Sequence, residues 1–341
     1  MVNLVQHGAD ELRVVHQGRV LHVRLARPAR LNAITPAMIA GIGEALDLSE
    51  AHRSIEAVII SGEGDRGLSA GGDVRILWGM GEEDAREYWA SEYRLNARLA
   101  AHPVPVVALM DGIVMGGGMG IAMHDAVRVV TERSVLAMPE VRIGLSPDVG
   151  GTFRLAHAPG AIGTHLALTG ESIGAADAIY AGLADMAIPA ARLPDFVADL
   201  ERRGLAYAIG QHTVSPPPGG RLASARRWID QCYVDDSASE VLDRLTHQDE
   251  PDAAAACAQI RRASPTAVSV ALGAIRNSRD WRDLVQTLQQ DLRTSMAMYL
   301  HGDLHEGIRA QVIEKDFDPR WSPRSIEDVD ADTVRGMLLA G

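Results

Sequence analysis

Residues 103–123 read PVPVVALMDGIVMGGGMGIAM, an apolar stretch that contains a single charged side chain, Asp111. As one continuous helix, this stretch would be long enough to cross a bilayer. However, Pro103, Pro105 and the glycine run from Gly112 to Gly120 make a continuous helix unfavourable. We therefore predict a buried strand, a tight turn and a short buried helix, and no membrane span.

The composition is that of a globular protein with room for a large core. The 341 residues are 47% hydrophobic and 23% charged, and the formal net charge is −12. This negative charge argues against nucleic acid or an anionic membrane as the main partner. Cys232 and Cys257 form no CxxC pair, and the N-terminus lacks a basic n-region and an apolar h-region. We expect reduced thiols in a cytoplasmic protein without a targeting segment.

The pattern around this stretch divides the chain into two parts. Residues 12–25 predict a pair of strands, Thr35 and Pro36 predict the start of a helix, and strands then alternate with helices. From about Pro194 onward, Ala, Arg, Leu and Asp recur at helical spacing without clear strands. The sequence predicts a catalytic α/β core over residues 1–195, built from ββα-like units, and a helical C-terminal region over 196–341.

Two glycine-rich turns are candidates for binding through the backbone. They are LSAGGDVR at 68–75 and DGIVMGGGMGIA at 111–122. Glycine lets the backbone approach a ligand closely, and the first N–H groups of a helix have no partner within it. Two such N–H groups that point at one carbonyl oxygen form an oxyanion hole. For either turn alone, the alternative interpretation is ordinary packing glycines.

Two carboxylates stand in another turn-rich stretch, MPEVRIGLSPDVGG at 138–151. Glu140 and Asp148 could both be exposed turn residues, with Asp148 as the N-cap of a helix over 149–155. Alternatively, the turns hold two acids at a reaction centre, where acids act as nucleophile, base or proton donor.

Two other motifs partly match a dinucleotide-binding site and a zinc site, but their surrounding residues do not fit those sites. GEGDRG at 62–67 matches the GxGxxG pattern, but LSAGGDV follows where a dinucleotide site needs a helix. In HGDLHEG at 301–307, His301 and His305 are four residues apart, but the glutamate of an HExxH zinc motif is missing between them. We interpret these histidines as structural and predict no metal site.

Taken in order, SAGGD, GxxMGGGMG, MPE and IGLSPDVGG closely resemble the crotonase (enoyl-CoA hydratase/isomerase) superfamily. RPARLNAIT at 27–35 resembles the N-terminal signature of that family, with Arg30 where a lysine is frequent. The resemblance implies the α/β crotonase (ClpP-like) fold, a spiral of ββα units. It also implies an acyl-CoA partner, with CoA as part of the substrate and no further cofactor. Relatives are often trimers or dimers of trimers, so we expect a homo-oligomer, a trimer or a hexamer.

The resemblance also implies roles for individual residues. The peptide N–H groups of Gly72 and Gly117 would form the oxyanion hole, and Glu140 matches an acidic position used in catalysis. Hydratases of the well-known type use a second glutamate in a GGGxE pattern, and Gly120 stands at that position here. The missing glutamate argues against simple enoyl-CoA hydration.

Within this superfamily, the chain most closely resembles the 3-hydroxyisobutyryl-CoA hydrolase branch. In that branch, the acids that correspond to Glu140 and Asp148 are the reactive pair. SEYRLNARLA at 91–100 resembles its helix with a substrate-binding glutamate, here Glu92. Residues 301–323 resemble its C-terminal signature. The resemblance implies that Glu92, Gly117, Glu140 and Asp148 bind the substrate.

The implied activity is hydrolysis of 3-hydroxyisobutyryl-CoA, a step of valine degradation. Glu140 would attack the thioester carbon or activate water, and Asp148 would bind the substrate hydroxyl or transfer a proton. Two alternatives stay open: hydration or isomerisation of an enoyl-CoA, and acyl-CoA binding without catalysis.

Overall fold

A computed structural model describes residues 2–7, 11–124 and 126–339, with the backbone alone for 2–7. The chain forms two compact units. The first unit consists of Met1–Gly72, Arg94–Leu136 and Ile173–Gly220. The second unit consists of Asp73–Tyr93, Ala137–Ser172 and Arg221–Gly341.

The strands of the described residues belong to the first unit, except that the last residue of β9 falls in the second. In chain order they are β1 (Val2–His7), β2 (Leu12–Gln17), β3 (Val20–Leu25), β4 (Ala57–Gly62), β5 (Gly67–Ser69), β6 (Val106–Met110), β7 (Ile113–Met115), β8 (Val127–Val130), β9 (Val135–Ala137) and β10 (Met186–Ala187).

The strands form two sheets. The larger has the order β1-β2-β3-β4-β6-β8-β10, and the smaller has the order β5-β7-β9. In the larger sheet β1, β2 and β3 pair antiparallel, whereas β3, β4, β6, β8 and β10 pair in parallel. Every residue of β6 is buried, as expected for a central parallel strand covered on both faces.

The helices of the described residues lie in both units, and the boundary between the units falls within α3. In chain order they are α1 (Pro36–Ala51), α2 (Val74–Trp78), α3 (Glu82–Ala100), α4 (Gly117–Gly120), α5 (Gly151–Ala156), α6 (Ile162–Thr169), α7 (Ala175–Tyr180), α8 (Leu193–Arg203), α9 (Leu205–His212), α10 (Leu222–Cys232), α11 (Ala238–Thr246), α12 (Pro251–Arg262), α13 (Pro265–Arg279), α14 (Leu284–His301), α15 (Asp303–Ile308) and α16 (Ala331–Leu339).

The core of the first unit lies between the large sheet and helices α8 and α9. Val20, Ile59 and Val107 of three neighbouring strands are buried together with Phe196 and Leu200 of α8. At about 25 cal/mol per Å² of apolar surface, burial of such side chains is the main stabilising contribution to this layer.

Several local predictions are confirmed. The side chain of Thr35 accepts a hydrogen bond from Met38 N at 3.3 Å, and Pro36 is the first residue of α1. The stretch 103–123 forms the predicted strand, β6, and the predicted short helix, α4, and a further short strand, β7, that was not predicted lies between them. No helix within the described ranges combines the length and apolar character that a membrane span requires.

The second unit is mainly helical and does not coincide with the predicted C-terminal region. It includes residues 73–93 and 137–172, while α8 and α9 belong to the first unit. The predicted division at residue 195 was based on a change in residue composition and spacing along the chain. Contacts between segments that are distant in sequence cannot be predicted from that change. As a boundary between catalytic core and C-terminal region it stays a prediction.

Candidate active site

The first glycine turn is held in place by the RPARLNAIT segment. The side chain of Asn32 donates hydrogen bonds to the carbonyls of Glu63 and Gly67 at 3.0 and 3.1 Å. Ser69 Oγ donates to Asn32 O at 2.9 Å. Ile34 N donates to Gly71 O at 2.8 Å. Asn32 has φ +53°, in the left-handed region that asparagine tolerates better than most residues. The signature at 27–35 therefore supports the SAGGD turn.

The second glycine turn packs directly on the first. Gly116 has φ +51°, and α4 begins at Gly117. A Cβ on Gly71 would lie 3.3 Å from Gly117 N, and a Cβ on Gly118 would lie 2.6 Å from Ser69 O. The two turns therefore touch at positions where no side chain fits. We call Gly71, Gly72 and residues 116–118 the glycine turns.

The geometry of the glycine turns is compatible with an oxyanion hole. The helical hydrogen bonds of α4 begin with Met119 N donating to Gly116 O. Gly117, as the first helical residue, therefore has an N–H without an intrahelical acceptor. Gly72 follows Gly71, on which a Cβ would lie 3.3 Å from Gly117 N. The use of the Gly72 and Gly117 N–H groups as an oxyanion hole stays a prediction.

The two acids of the 138–151 stretch are buried in the second unit. Glu140 begins a 3-10 turn at Glu140–Ile143 and is 4% exposed, and Asp148 is 5% exposed. Asp148 is not a helix cap, because α5 begins at Gly151 and its N-cap is Gly150. The side chain of Asp148 instead accepts a hydrogen bond from Tyr93 OH at 2.7 Å. The interpretation of these acids as exposed turn residues is therefore wrong.

Two further carboxyls share this region. Glu92 of α3 is 3% exposed and stands next to Tyr93, and Asp291 of α14 is fully buried. Within the described ranges, Glu92 Oε1 and Glu140 Oε2 have no hydrogen-bond partner in the protein. A buried polar atom without a partner is costly, so these oxygens are suited to a bound substrate. We call Glu92, Glu140, Asp148 and Asp291 the acid cluster.

Burial raises the pKa values throughout the acid cluster. It raises the pKa of Glu92 to about 8, with a further contribution from the charge of Asp148. It raises the pKa of Asp148 to about 6, although the hydrogen bond from Tyr93 opposes the rise. Burial and the charge of Asp148 hold the pKa values of Glu140 and Asp291 well above the usual range. Near neutral pH, Asp148 is therefore mainly charged and Glu92 is mainly protonated.

Sequence reasoning missed three residues around Asp148, namely Tyr93, Asp291 and Ser295. Ser295 Oγ lies 2.9 Å from Tyr93 OH, and Asp291 accepts a hydrogen bond from Gly150 N at 2.7 Å. The available signal was weak. Asp291 and Ser295 are four residues apart, so on a helix they share one face.

The histidines of the 301–307 segment do not share one helix. His301 ends α14, Gly302 follows with φ +104°, and His305 lies in α15 with its ring 4.6 Å from that of Tyr299. Among the described residues, no group of three or more His, Cys, Asp or Glu side chains is arranged to hold a metal ion.

Comparisons with known proteins identify a matching family and several similar enzymes. The family model described as enoyl-CoA hydratase/isomerase matches residues 20–338. A mitochondrial 3-hydroxyisobutyryl-CoA hydrolase from Gallus gallus is 33% identical over 96% of this chain and 88% of its own length. The Homo sapiens protein of the same name is 32% identical over 94% of this chain and 86% of its own length.

Two solved structures have the same fold as this chain. A carnitinyl-CoA dehydratase from Mycobacterium thermoresistibile is 40% identical, with a TM-score of 0.93 over 97% of this chain and 96% of its own. An enoyl-CoA hydratase from Rhodobacter sphaeroides 2.4.1 is 38% identical, with a TM-score of 0.91 over 96% of this chain and 97% of its own. The predicted crotonase fold is confirmed. Because the two hydrolase relatives are named as mitochondrial, a cytoplasmic location stays a prediction.

Proposed function

Because the chain belongs to the enoyl-CoA hydratase/isomerase family, we propose that it is an acyl-CoA thioester hydrolase that converts 3-hydroxyisobutyryl-CoA and water into 3-hydroxyisobutyrate and CoA. The observation that carries this proposal is the buried pair of Glu140 and Asp148 in one acid cluster. Near-full-length similarity to proteins named 3-hydroxyisobutyryl-CoA hydrolase supports the substrate and its place in valine degradation.

The glycine turns would polarise the thioester. The N–H groups of Gly72 and Gly117 would donate to the thioester oxygen, on which negative charge builds as the carbonyl carbon becomes tetrahedral. Fixed backbone donors stabilise that charge without having to reorganise, and removal of one such donor typically costs about 10²–10³ in rate. The contact between the two glycine turns supports this role.

Glu140 and Asp148 would be the reacting acids. In this proposal Glu140 starts protonated and Asp148 starts as a carboxylate. Burial raises the pKa of Glu140 well above its usual range, and it raises the pKa of Asp148 to about 6. Transfer of the Glu140 proton to Asp148 would free Glu140 to attack the carbonyl carbon or to deprotonate water. The C–S bond then breaks, and protonated Asp148 would give its proton to the departing CoA thiolate. If Glu140 attacks directly, water would then hydrolyse the acyl–Glu140 anhydride, which releases 3-hydroxyisobutyrate and frees Glu140.

Glu92 would recognise the substrate hydroxyl. Its pKa of about 8 keeps it protonated near neutral pH, so it can donate one hydrogen bond and accept another. Its Oε1 atom is buried without a partner in the described part of the protein. A 3-hydroxyacyl chain would satisfy that atom, whereas an acyl chain without a hydroxyl would leave it unpaired.

The proposal is tested by free-thiol release from 3-hydroxyisobutyryl-, 3-hydroxypropionyl-, acetyl- and crotonyl-CoA. We expect rapid release from the two hydroxyacyl thioesters and a kcat/KM about 10- to 100-fold lower for acetyl-CoA, since a buried polar group left unpaired costs about 1–3 kcal/mol. No thiol from any of the four would contradict the proposal.

A second candidate function is hydration of an enoyl-CoA. It is favoured by the similarity to a dehydratase and a hydratase at 40% and 38% identity. It is disfavoured by Gly120 at the position of the second hydratase glutamate. Loss of the enoyl absorbance of crotonyl-CoA without thiol release would identify hydration. A homologue that only binds acyl-CoA would show neither signal. The trimeric or hexameric assembly stays a prediction, which the molecular mass in solution would test.

A further inference from the structure

Asp291 and Ser295 are two of the buried polar side chains of helix α14. Asp291 is fully buried and Ser295 is 1% exposed, and they are four residues apart. Residues at this spacing lie above one another on a helix. A buried polar side chain is unfavourable unless it is hydrogen-bonded, so the partners of Asp291 and Ser295 indicate why these residues are there.

Ser295 is connected to Asp148 by two hydrogen bonds that share the hydroxyl of Tyr93. Tyr93 OH lies 2.7 Å from Asp148 Oδ2 and 2.9 Å from Ser295 Oγ. A tyrosine hydroxyl has one hydrogen, and the Asp148 carboxylate can only accept. Tyr93 therefore donates to Asp148, and Ser295 donates to the Tyr93 oxygen. Aligned hydroxyls polarise one another, so the second bond strengthens the first.

Asp291 forms hydrogen bonds with residues that follow Asp148 in the same segment. Its carboxyl accepts from Gly150 N at 2.7 Å and from Thr152 Oγ1 at 3.2 Å. Between Asp148 and Gly150 stands Val149 at φ +52°, a conformation that is unfavourable for a β-branched residue. The strained position is thus flanked on both sides by buried hydrogen bonds.

A purely structural turn would not need this arrangement. An apolar residue at position 148 would pack without any of the hydroxyl partners, and a glycine at position 149 would adopt the positive φ without strain. Instead, side chains from α3 and α14 converge on a turn that contains one carboxylate. Together these hydrogen bonds hold Asp148 and the two residues Gly150 and Thr152 that follow it in the chain.

We propose that Tyr93, Asp291 and Ser295 are positioning residues that together clamp the Asp148 carboxylate in one orientation for proton transfer. This inference rests on the proposed function for the reaction that Asp148 serves, but the clamp itself is defined by hydrogen bonds within the second unit. We call these three residues the Asp148 clamp.

Tyr93→Phe is the first test, because it keeps the ring and removes the hydroxyl. A hydrogen-bond donor favours the charged form of a carboxylate, so its loss raises the pKa of Asp148. We expect the acid limb of the kcat/KM profile to move up by about one pH unit, with a loss of about 5-fold at pH 6 and a much smaller loss at pH 8. Ser295→Ala should shift the limb in the same direction by less.

Tyr233→Phe is the matched control. Tyr233 is a buried tyrosine of the second unit that is hydrogen-bonded to His165 Nδ1 at 2.8 Å and has no place in the clamp. This variant should lower Tm without moving the pH profile. If Tyr93→Phe behaves like Tyr233→Phe, the clamp is contradicted.

Asp291 is tested with a conservative and a disruptive variant. Asp291→Asn keeps an acceptor for Gly150 N and matches the neutral carboxyl that burial favours, so kcat/KM should stay within a few-fold of wild type. Asp291→Leu removes the acceptor and should lower kcat by about 100-fold with little change in KM. Equal activity of the two variants would contradict a positioning role for Asp291.

A titration separates failure of the clamp from failure of the proposed function. With ¹³C-labelled aspartate carboxyls, the Asp148 signal is the one that Asp148→Asn removes. Its midpoint should rise by about one pH unit in Tyr93→Phe and stay constant in Tyr233→Phe. An unchanged midpoint in Tyr93→Phe overturns the clamp even if thiol is released. Absence of thiol release with a shifted midpoint overturns the hydrolase proposal instead.

Discussion

The glycine turns of the first unit and the acid cluster of the second unit are suited to their proposed roles for opposite reasons. The glycine turns act by the absence of side chains, because a Cβ on Gly118 would lie 2.6 Å from Ser69 O. The acid cluster depends on side chains, and its four carboxyls are all buried. Backbone dipoles are fixed by the fold and insensitive to pH, whereas a buried carboxyl changes charge with its surroundings. Substitutions in the two regions should therefore produce different kinds of defect.

The largest effect that distinguishes the two regions is expected from Gly118→Ala. The added methyl group would push Ser69 and the adjoining N–H of Gly117 out of position. We expect kcat/KM to fall by about 10²–10³-fold, as for loss of an oxyanion donor, and stability to fall by about 1–3 kcal/mol from overpacking. The pH dependence that remains should be that of wild type, because no titrating group has changed.

Gly43→Ala is the matched control for this substitution. Gly43 lies within α1 of the first unit, and a Cβ there would meet nothing within 4 Å. Alanine should raise stability by about 0.5–1 kcal/mol and leave activity unchanged. Wild-type activity in Gly118→Ala would remove the glycine turns from the mechanism.

The same contrast explains what could be predicted from the sequence. The glycine turns are local, and SAGGD and the GGG run were recognisable as candidate backbone sites. The start of α1 at Thr35 and Pro36 was also predictable, because capping depends on adjacent residues. These features depend on short-range sterics that a sequence displays directly.

The acid cluster could be predicted only in part. The resemblance identified Glu92, Glu140 and Asp148, but Tyr93 and Ser295 are 202 positions apart and Asp291 is 141 from Gly150. No local pattern joins such residues. The interpretation of Asp148 as a helix cap is wrong because Gly150 takes that place, which leaves the Asp148 carboxyl to Tyr93.

The next largest effect concerns stability in the acid cluster. The pKa of Glu92 rises from 4.5 to about 8 in the folded protein, so between these values the folded state holds a proton that the unfolded state has lost. Below pH 4.5, this proton makes its full contribution to the free energy of unfolding. The contribution is lost as the pH rises toward 8, by at most about 1.4 kcal/mol per pH unit. Glu92→Gln should flatten this decline in denaturant unfolding between pH 5 and 8.

Glu250→Gln serves as the control for the stability measurement, because Glu250 is exposed and its side chain caps no helix. It should keep the wild-type slope. An equal slope in Glu92→Gln and wild type would mean that Glu92 does not hold a proton in the folded protein. No comparable pH effect is expected from substitutions in the glycine turns.

The most direct test of the central claim is thiol release from saturating 3-hydroxyisobutyryl-CoA by Glu140→Gln beside wild type. Glutamine keeps the shape of the protonated acid but can neither attack the thioester nor take a proton from water. We predict that kcat falls by at least about 10³-fold while Tm stays within a few degrees of wild type, because a neutral side chain already suits this buried position. Full activity in Glu140→Gln would contradict the claim that the acid cluster hydrolyses the thioester.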